Sequence, residues 1–267
     1  MKIELRIPEP VQPIIIAYLR LTEQRLIGLI NGFYVIGSIA LGEFNERFSD
    51  IDFITVLSRR ASPIDLRHLR KIHESIEKTY PRWRMSGGYV QAGDLGKLGN
   101  ALSPHPQLHD GVLHPAVHNE INSVAWWELK HHGIPVVGAV SGALPFTVSW
   151  DVVVAEMKEN LNTYWRKRTR HPRRIAVLYS DWGIQWAVLG VLRQFFTFRE
   201  SSITTKVKAG EYAFGCLPHR WHLLIQEAIN VWHGRQGSSY RFRFGRMVQT
   251  VRFLNYVIDI SNGHFRS

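Results

Sequence analysis

Two aspartates separated by one residue, at the start of an apolar run, constrain this chain more than any other feature. The segment Ser49-Asp50-Ile51-Asp52 leads into the run from Phe53 to Leu57, which is typical of a buried strand. Side chains at i and i+2 of a strand lie on one face, so Asp50 and Asp52 project together while Ile51 and Phe53 face a core. Adjacent carboxylates repel each other, and a divalent cation such as Mg²⁺ relieves that repulsion. The spacing therefore predicts a metal site at the start of this strand.

A glycine and a serine precede this strand in a context that favours phosphate binding. Residues 33–36 read as a short buried strand, Gly37 allows close backbone approach, and Ser38 opens a short helix whose N–H groups and hydroxyl can meet a phosphate. Taken alone, the aspartates are typical of a solvated strand end and Gly-Ser of a turn. The order strand, helix, loop, strand favours a nucleoside triphosphate with a metal, held for phosphoryl or nucleotidyl transfer.

Composition excludes several classes of protein and sets the expected partners. The chain has 267 residues, 45% of them hydrophobic and 21% charged, which excludes a disordered or collagen-like chain. Cys216 is the only cysteine, which excludes an internal disulfide and fits a reducing compartment. The net charge of +11 suggests anionic partners. We find no targeting or membrane segment in the sequence and expect a cytoplasmic protein without a membrane partner. The sequence gives no expectation of oligomeric state.

The pattern along the chain predicts an α+β fold with two domains. Residues 1–145 are expected to form a small mixed sheet with helices, and residues 146–267 an α-helical bundle. In the first part we predict helices and strands at 13–30 (helix), 33–36 (strand), 50–57 (strand), 62–80 (helix), 84–91 (a strand weakened by two glycines), 118–132 (helix) and 134–138 (a short extended piece), with a loop over 92–117. In the second part we predict helices at 150–168, 175–198, 204–215, 219–234 and 240–258.

The motifs resemble those of a known enzyme family. The segment from Gly37 to Gly42, followed by Ser49 to Phe53, resembles the signature of polymerase-β-type nucleotidyltransferases. Three further segments resemble the C-terminal domain of aminoglycoside adenylyltransferases, with the spectinomycin/streptomycin-modifying branch the nearest match: Leu192-Arg193, Thr205 to Ala213, and Leu217 to Trp221. Leu129-Lys130 with 133–138 resembles a connecting element of that family.

The resemblance implies a two-domain enzyme that binds ATP and Mg²⁺ between its domains and moves AMP to a hydroxyl of a small molecule, with an aminoglycoside as the expected acceptor. It implies that Asp50 and Asp52 bind the metal, that Gly37, Ser38 and Ser49 surround the nucleotide, and that Lys206 contacts the triphosphate. The alternative for Lys206 is a surface lysine in the first turn of a helix. Asp181 lies where the family places a carboxylate for substrate amines, or it stabilises a helix N-terminus.

One position departs from the family. The family has a third carboxylate on a following strand, which acts as general base on the acceptor hydroxyl. In this chain Ser86 or a neighbour occupies that place, and serine cannot serve as that base. Asp94 and Glu120 are carboxylates nearby in sequence, but neither is expected on that strand. Three possibilities follow: another group supplies the base, catalysis is slow and rests on metal and positioning, or the chain is a degenerate protein that binds nucleotide without transferring it.

Histidine and arginine clusters suggest two other kinds of site. His105 and His109, like His114 and His118, are four residues apart, as in a helical zinc pair. The interrupting prolines and the lack of cysteine favour a polar loop instead. Basic runs at 166–174 and 235–246 suggest nucleic-acid binding, but an inter-helix loop and a half-buried extended segment are the favoured interpretations. We therefore expect no nucleic-acid partner. Binding to RNA remains an alternative that only the net charge suggests.

Overall fold

The computed structural model describes residues 6–118 and 121–264. The chain divides into two compact units, Met1–Ser149 and Trp150–Ser267, each described here by itself. The predicted α+β class is confirmed, because a mixed sheet with helices is followed by a helical region.

Within residues 6–118 and 121–149, the first unit is a six-stranded sheet with four α-helices. Its helices are α1 (Gln12–Arg25), α2 (Gly37–Ala40), α3 (Pro63–Thr79) and α4 (Ser123–His132). Its strands are β1 (Ile30–Val35), β2 (Ile51–Leu57), β3 (Met85–Gln91), β4 (His105–His109), β5 (Val112–Val117) and β6 (Ile134–Val137).

The sheet is mixed, with strand order β5-β4-β3-β2-β1-β6. Strands β2 and β3 are parallel, and the other neighbouring pairs are antiparallel. Helix α3 connects the two parallel strands. It begins at Pro63, where Ser62 forms a capping box with Asp65, and ends just before Pro81. The connection brings the start of β3 beside the start of β2.

Each face of the sheet has its own apolar core. One face packs against α1 and α3 and includes Ile51 and Phe53, which are 0% and 1% exposed. The other face includes Ile54 and Val56 and packs against Trp126 of α4. The period of two predicted for β2 is therefore observed over its whole length.

Two predictions in the first unit were wrong. Helix α1 ends at Arg25, because the chain needs the following turn to enter β1 at Ile30. The stretch 92–117 is not all loop, since it contains β4 and β5, which pair with each other and with β3. The glycines that weakened the prediction of β3 are required there. A β-carbon at Gly87 would lie 2.0 Å from the Phe53 carbonyl oxygen, and one at Gly88 would lie 2.7 Å from Ile121 Cδ1.

The second unit is helical throughout its described residues. Its helices are α5 (Trp150–Asn160), α6 (Arg166–Arg170), α7 (Pro172–Ala176), α8 (Asp181–Glu200), α9 (Lys206–Cys216), α10 (His222–Trp232) and α11 (Arg243–His264). Helix α8 is the central element, and α9, α10 and α11 pack against it. No single described helix has the length and apolar content to cross a membrane, although Pro172–Tyr179 and Asp181–Glu200, bent by 106°, meet that test as a pair.

One helix boundary and one predicted extended segment in this unit were wrong. The helix expected over 175–198 begins at Asp181, because Ser180 caps it by accepting a hydrogen bond from the Gly183 N–H. The half-buried extended segment expected over 235–246 is also wrong in its second half. Helix α11 starts at Arg243, and Phe242 and Phe244 are each 65% exposed while Arg246 is buried.

Candidate nucleotide and metal site

The two aspartates lie where β2 begins. Asp52 is the second residue of the strand and is half-buried, and Asp50 directly precedes the strand and is exposed. Their neighbours Ile51 and Phe53 face the core beneath α1 and α3, so Asp50 and Asp52 face the opposite side of the sheet. Their Cα atoms are about 7 Å apart at the rise of a strand. This arrangement places two carboxylates on the same side of the sheet where β2 begins.

Gly37 brings the main chain against the Asp52 carboxylate. Gly37 has a φ of +65°, and a β-carbon there would lie 2.3 Å from Asp52 Oδ2. The same approach is fixed by a backbone hydrogen bond of 2.9 Å from the Ile36 N–H to the Asp52 carbonyl oxygen. Only glycine fits this contact in the observed conformation. Gly37 therefore sets the place of the Asp52 carboxylate.

Ser38 carries a buried hydroxyl that the protein leaves unsatisfied. Ser38 Oγ has no hydrogen-bond partner among residues 6–118 and 121–264. Buried polar atoms without a partner are rare in folded proteins, and such an atom beside a polar site indicates a ligand or ordered water. A phosphate oxygen is a suitable acceptor for this hydroxyl. With the two carboxylates, the residues present fit a nucleotide with Mg²⁺, which prefers carboxylates plus substrate phosphates.

Ser49 helps to shape the loop that precedes Asp50. Its Oγ accepts a hydrogen bond of 3.0 Å from the Asn45 N–H, and its N–H donates to the Asn45 carbonyl at 2.8 Å. Asn45 Oδ1 in turn accepts from the N–H groups of Arg47 and Phe48. The hydroxyl of Ser49 thus accepts a hydrogen bond within this loop. Its contact with nucleotide remains a prediction.

Ser86 lies directly beside Asp52. In the parallel pair of β2 and β3, Asp52 and Ser86 are register partners, so their side chains share a face. Ser86 Oγ donates to the Leu108 carbonyl at 3.4 Å. A carboxylate at this position would stand beside the aspartates, and the chain has a hydroxyl instead.

Of the two other carboxylates considered from sequence, Asp94 lies too far from this position to replace a carboxylate there. Asp94 follows the opposite end of β3, is 5% exposed, and is held by Lys97 at 3.4 Å and Ser103 at 2.9 Å. The length of β3 alone separates it from Ser86 by about 16 Å or more. Glu120 lies outside the described residues.

Lys206 belongs to the second unit, at the first residue of α9. Its Nζ lies 4.4 Å from the centroid of the Trp232 ring and 3.5 Å from Gln185 Oε1. A cation at a helix N-terminus opposes the helix dipole, so these contacts hold a charge where the helix itself disfavours one. Gln185 Nε2 is buried and lacks a hydrogen-bond partner within the described part of the chain. Trp232 and Gln185 were not predicted, because only the folded helices bring them to Lys206.

Asp181 is the first residue of α8 and is paired with arginine. Arg246 Nη2 lies 2.5 Å from Asp181 Oδ1, and Arg243 Nη2 lies 4.0 Å from Asp181 Oδ2. Arg246 also binds Glu227 through Nη1 at 2.8 Å, and this arginine and glutamate are almost fully buried. Sequence reasoning missed this cluster, since its members lie on three different helices. The side chain of Asp181 is 45% exposed, so the pairing leaves part of the carboxylate open to solvent.

The His105/His109 pair lies along a strand and not on one face of a helix. His105 and His109 lie at the two ends of β4, which separates their Cα atoms by about 13 Å. His105 is 3% exposed and its Nδ1 is bonded to the Ser103 carbonyl oxygen. No group of three or more potential ligands among histidine, cysteine, aspartate and glutamate occurs in the described residues.

Comparisons with known proteins agree with the resemblance read from the sequence. Residues 178–256 match the family model of the aminoglycoside adenylyltransferase C-terminal domain. The fold is similar to the structure of spectinomycin adenyltransferase AAD(9) from Enterococcus faecialis, determined with ATP and spectinomycin. That match has a TM-score of 0.64 at 15% identity and covers 93% of this chain and 99% of the other. A search of curated proteins gives no significant match. The resemblance and the fold class are thereby confirmed.

Proposed function

We propose that the chain is a Mg²⁺-dependent nucleotidyltransferase that moves AMP from ATP to a hydroxyl of a small molecule. The observation that carries this proposal is the pair Asp50 and Asp52 at the start of β2, with the backbone of Gly37 against the Asp52 carboxylate. Two carboxylates on one face, beside a glycine turn and an unsatisfied serine hydroxyl, match the needs of a metal-bound triphosphate.

Each residue of the site has a separate task in this proposal. Asp50 and Asp52 bind the cation, which when bound neutralises charge on the phosphates. Gly37 fixes the Asp52 carboxylate, and the hydroxyl of Ser38 donates to a phosphate oxygen. Ser49 holds the loop that leads into Asp50.

We assign nucleotide binding and metal binding to the first unit and an acceptor and clamping role to the second. Lys206 supplies a positive charge to the triphosphate, and its place over Trp232 orients the ammonium group. The boundary predicted near residue 145, and a cytoplasmic location, remain predictions.

An aminoglycoside is the acceptor class that the comparisons favour. Asp181 is the proposed contact for an acceptor amine, because part of its carboxylate is exposed. Arg246 and Arg243 already compensate its charge, so its attraction for a cationic acceptor is weaker than that of an unpaired carboxylate. The net charge of +11 gives no long-range attraction for polycations. The acceptor must then be recognised mainly by contact.

A nucleotide-binding protein without transfer is the second candidate. The observation that favours it is Ser86, a serine in register with Asp52 where the family has a carboxylate. The two candidates predict the same nucleotide affinity and differ only in turnover.

Pyrophosphate release from Mg²⁺-ATP across a panel of aminoglycosides separates the two candidates. The variants are Asp52→Asn and, as a matched control, Asp151→Asn, which changes an exposed aspartate at the start of α5. Release that requires one acceptor and Asp52, but not Asp151, supports transfer. Binding of Mg²⁺-ATP without release supports the second candidate. Binding that is indifferent to Asp52→Asn contradicts both.

A further inference from the structure

His109 lies in the same row of the sheet as Asp52 and Ser86. Asp52 and Ser86 are register partners, and Gly87 pairs with Leu108 in the antiparallel pair of β3 and β4. Extending that register by one residue places His109 opposite Ser86. Opposite residues share a face, so the three side chains rise from one side of the sheet, with about 4.8 Å between successive strands. His109 thus lies on the strand next to Ser86, the position at which the resembling family has a carboxylate.

The turn between β4 and β5 fixes His109 at this place. His109 is the last residue of β4, and Asp110 and Gly111 follow with φ of +48° and +76°. Two such residues make a tight hairpin of the type that matches the twist of the strands. A β-carbon at Gly111 would lie 2.6 Å from Glu77 Oε2, so the turn packs closely on α3. The backbone of His109 is therefore placed by the end of β4 and by this turn, while its side chain is 68% exposed.

Asp110 is placed to orient the imidazole. His109 Nε2 lies 3.5 Å from Asp110 Oδ2, and Arg84 Nη1 lies 3.7 Å from Asp110 Oδ1. Arg84 also pairs with Glu77 at 3.7 Å, which connects the turn to α3. A carboxylate within reach of one ring nitrogen favours ring orientations in which the other nitrogen is open to accept a proton. Asp110 is not itself the candidate base, because it pairs with Arg84 and lies beyond the end of β4.

We propose that His109 is the general base for the acceptor hydroxyl, in the role that the residue at position 86 cannot fill. This inference rests on the proposed function. In the step, the acceptor oxygen bonds to the α-phosphorus while the bond from that phosphorus to the bridging oxygen of the β-phosphate breaks. The electron pair of the broken bond leaves with pyrophosphate. The hydroxyl proton passes to His109, with Asp110 holding the ring.

The decisive variants are His109→Gly and, as a matched control, His114→Gly. His114 is also an exposed histidine of this hairpin. It lies on β5, one strand farther from Asp52, and pairs with Gln107, two residues along β4 from His109. We measure pyrophosphate release with the full chain, Mg²⁺-ATP and an accepting aminoglycoside, and Mg²⁺-ATP binding by calorimetry. The expected result is a fall in kcat of about 10²–10⁴-fold for His109→Gly, with ATP binding unchanged. His114→Gly stays near wild type. Added imidazole restores part of the turnover of His109→Gly, which a structural role would not allow.

The outcomes distinguish this inference from the function on which it rests. If His109→Gly turns over like wild type while Asp52→Asn is inactive, the transferase stands and His109 is not its base. If His109→Gly is slow but imidazole does not raise its rate, the base assignment is also overturned. If wild type releases no pyrophosphate with any acceptor, the proposed transfer and the base assignment fail together.

Discussion

Replacing Gly37 with alanine tests whether the backbone of this residue positions the Asp52 carboxylate, the proposed metal ligand. In the observed conformation the new β-carbon would lie 2.3 Å from Asp52 Oδ2 and 3.0 Å from its Cγ. Non-bonded heavy atoms are in ordinary contact at about 3.5 Å, so the Asp52 carboxylate or the turn at Gly37 must move by about 1 Å. A misplacement of about 1 Å can reduce turnover by about 10²-fold.

Gly42 provides the matched control for the cost of the backbone conformation. It also has a positive φ, +77°, but a β-carbon there would meet no atom within 4 Å. A residue with a side chain costs about 1–2 kcal/mol in this left-handed region, so both variants lose similar stability. Only Gly37→Ala also displaces Asp52.

Urea unfolding, Mg²⁺-ATP calorimetry and pyrophosphate release separate the two effects. We expect both variants to lose about 1–2 kcal/mol of unfolding free energy. We expect only Gly37→Ala to lose about 10²-fold in turnover and to bind Mg²⁺-ATP more weakly. Equal turnover and equal binding for Gly37→Ala and Gly42→Ala would refute the argument that Gly37 positions Asp52.

Three further predictions concern the lysine, a buried histidine and a buried ion pair. Lys206→Gln is expected to weaken ATP binding by about tenfold, or about 1.4 kcal/mol, while the exposed Lys208→Gln binds normally in calorimetry; equal binding by the two variants would remove Lys206 from the site. Burial lowers the pKa of His73 to about 3, so its protonation favours the unfolded chain, and stability is lost as the pH falls from about 6.5 towards 3. Urea unfolding of His73→Gln should lack that loss, and an unchanged pH profile would contradict the assignment. Arg246→Met leaves the buried Glu227 without its cationic partner and is expected to cost about 3–5 kcal/mol in the same assay; a loss below about 1 kcal/mol would show that the ion pair contributes little.

The direction in which pH changes stability at the Arg246 cluster follows from the pKa of Glu227. Burial acts to raise the pKa of Glu227, but hydrogen bonds from Ser238, Ser239 and Arg246 outweigh it and hold that pKa below its usual value. A carboxylate with a lowered pKa stabilises the fold above its unfolded pKa. That contribution disappears as the pH falls through the folded pKa.

Local patterns in the sequence determined the core of the candidate site. Asp50 and Asp52 share a face because the period of a strand is two, and Ile51 and Phe53 are buried for the same reason. The glycine at position 37 was predicted from its chemistry alone. These features involve residues adjacent in the chain, where dihedral preferences and side-chain alternation decide the outcome.

The tertiary structure decided which distant residues meet these local features. The stretch containing β4 has little strand signal, because a strand held by its neighbours needs little propensity of its own. The pairing of β3 with β4 sets the register that brings His109 opposite Ser86. In the same way the packing of α11 on α8 brings Arg246 to Asp181. The sequence by itself thus determined that Asp50 and Asp52 share a face at the start of a strand and that a glycine turn precedes them. The folded chain decided that His109 lies in the row of Asp52 and Ser86 and that, in the second unit, Arg246 pairs with Asp181. Strand register and helix packing depend on contacts far apart in sequence.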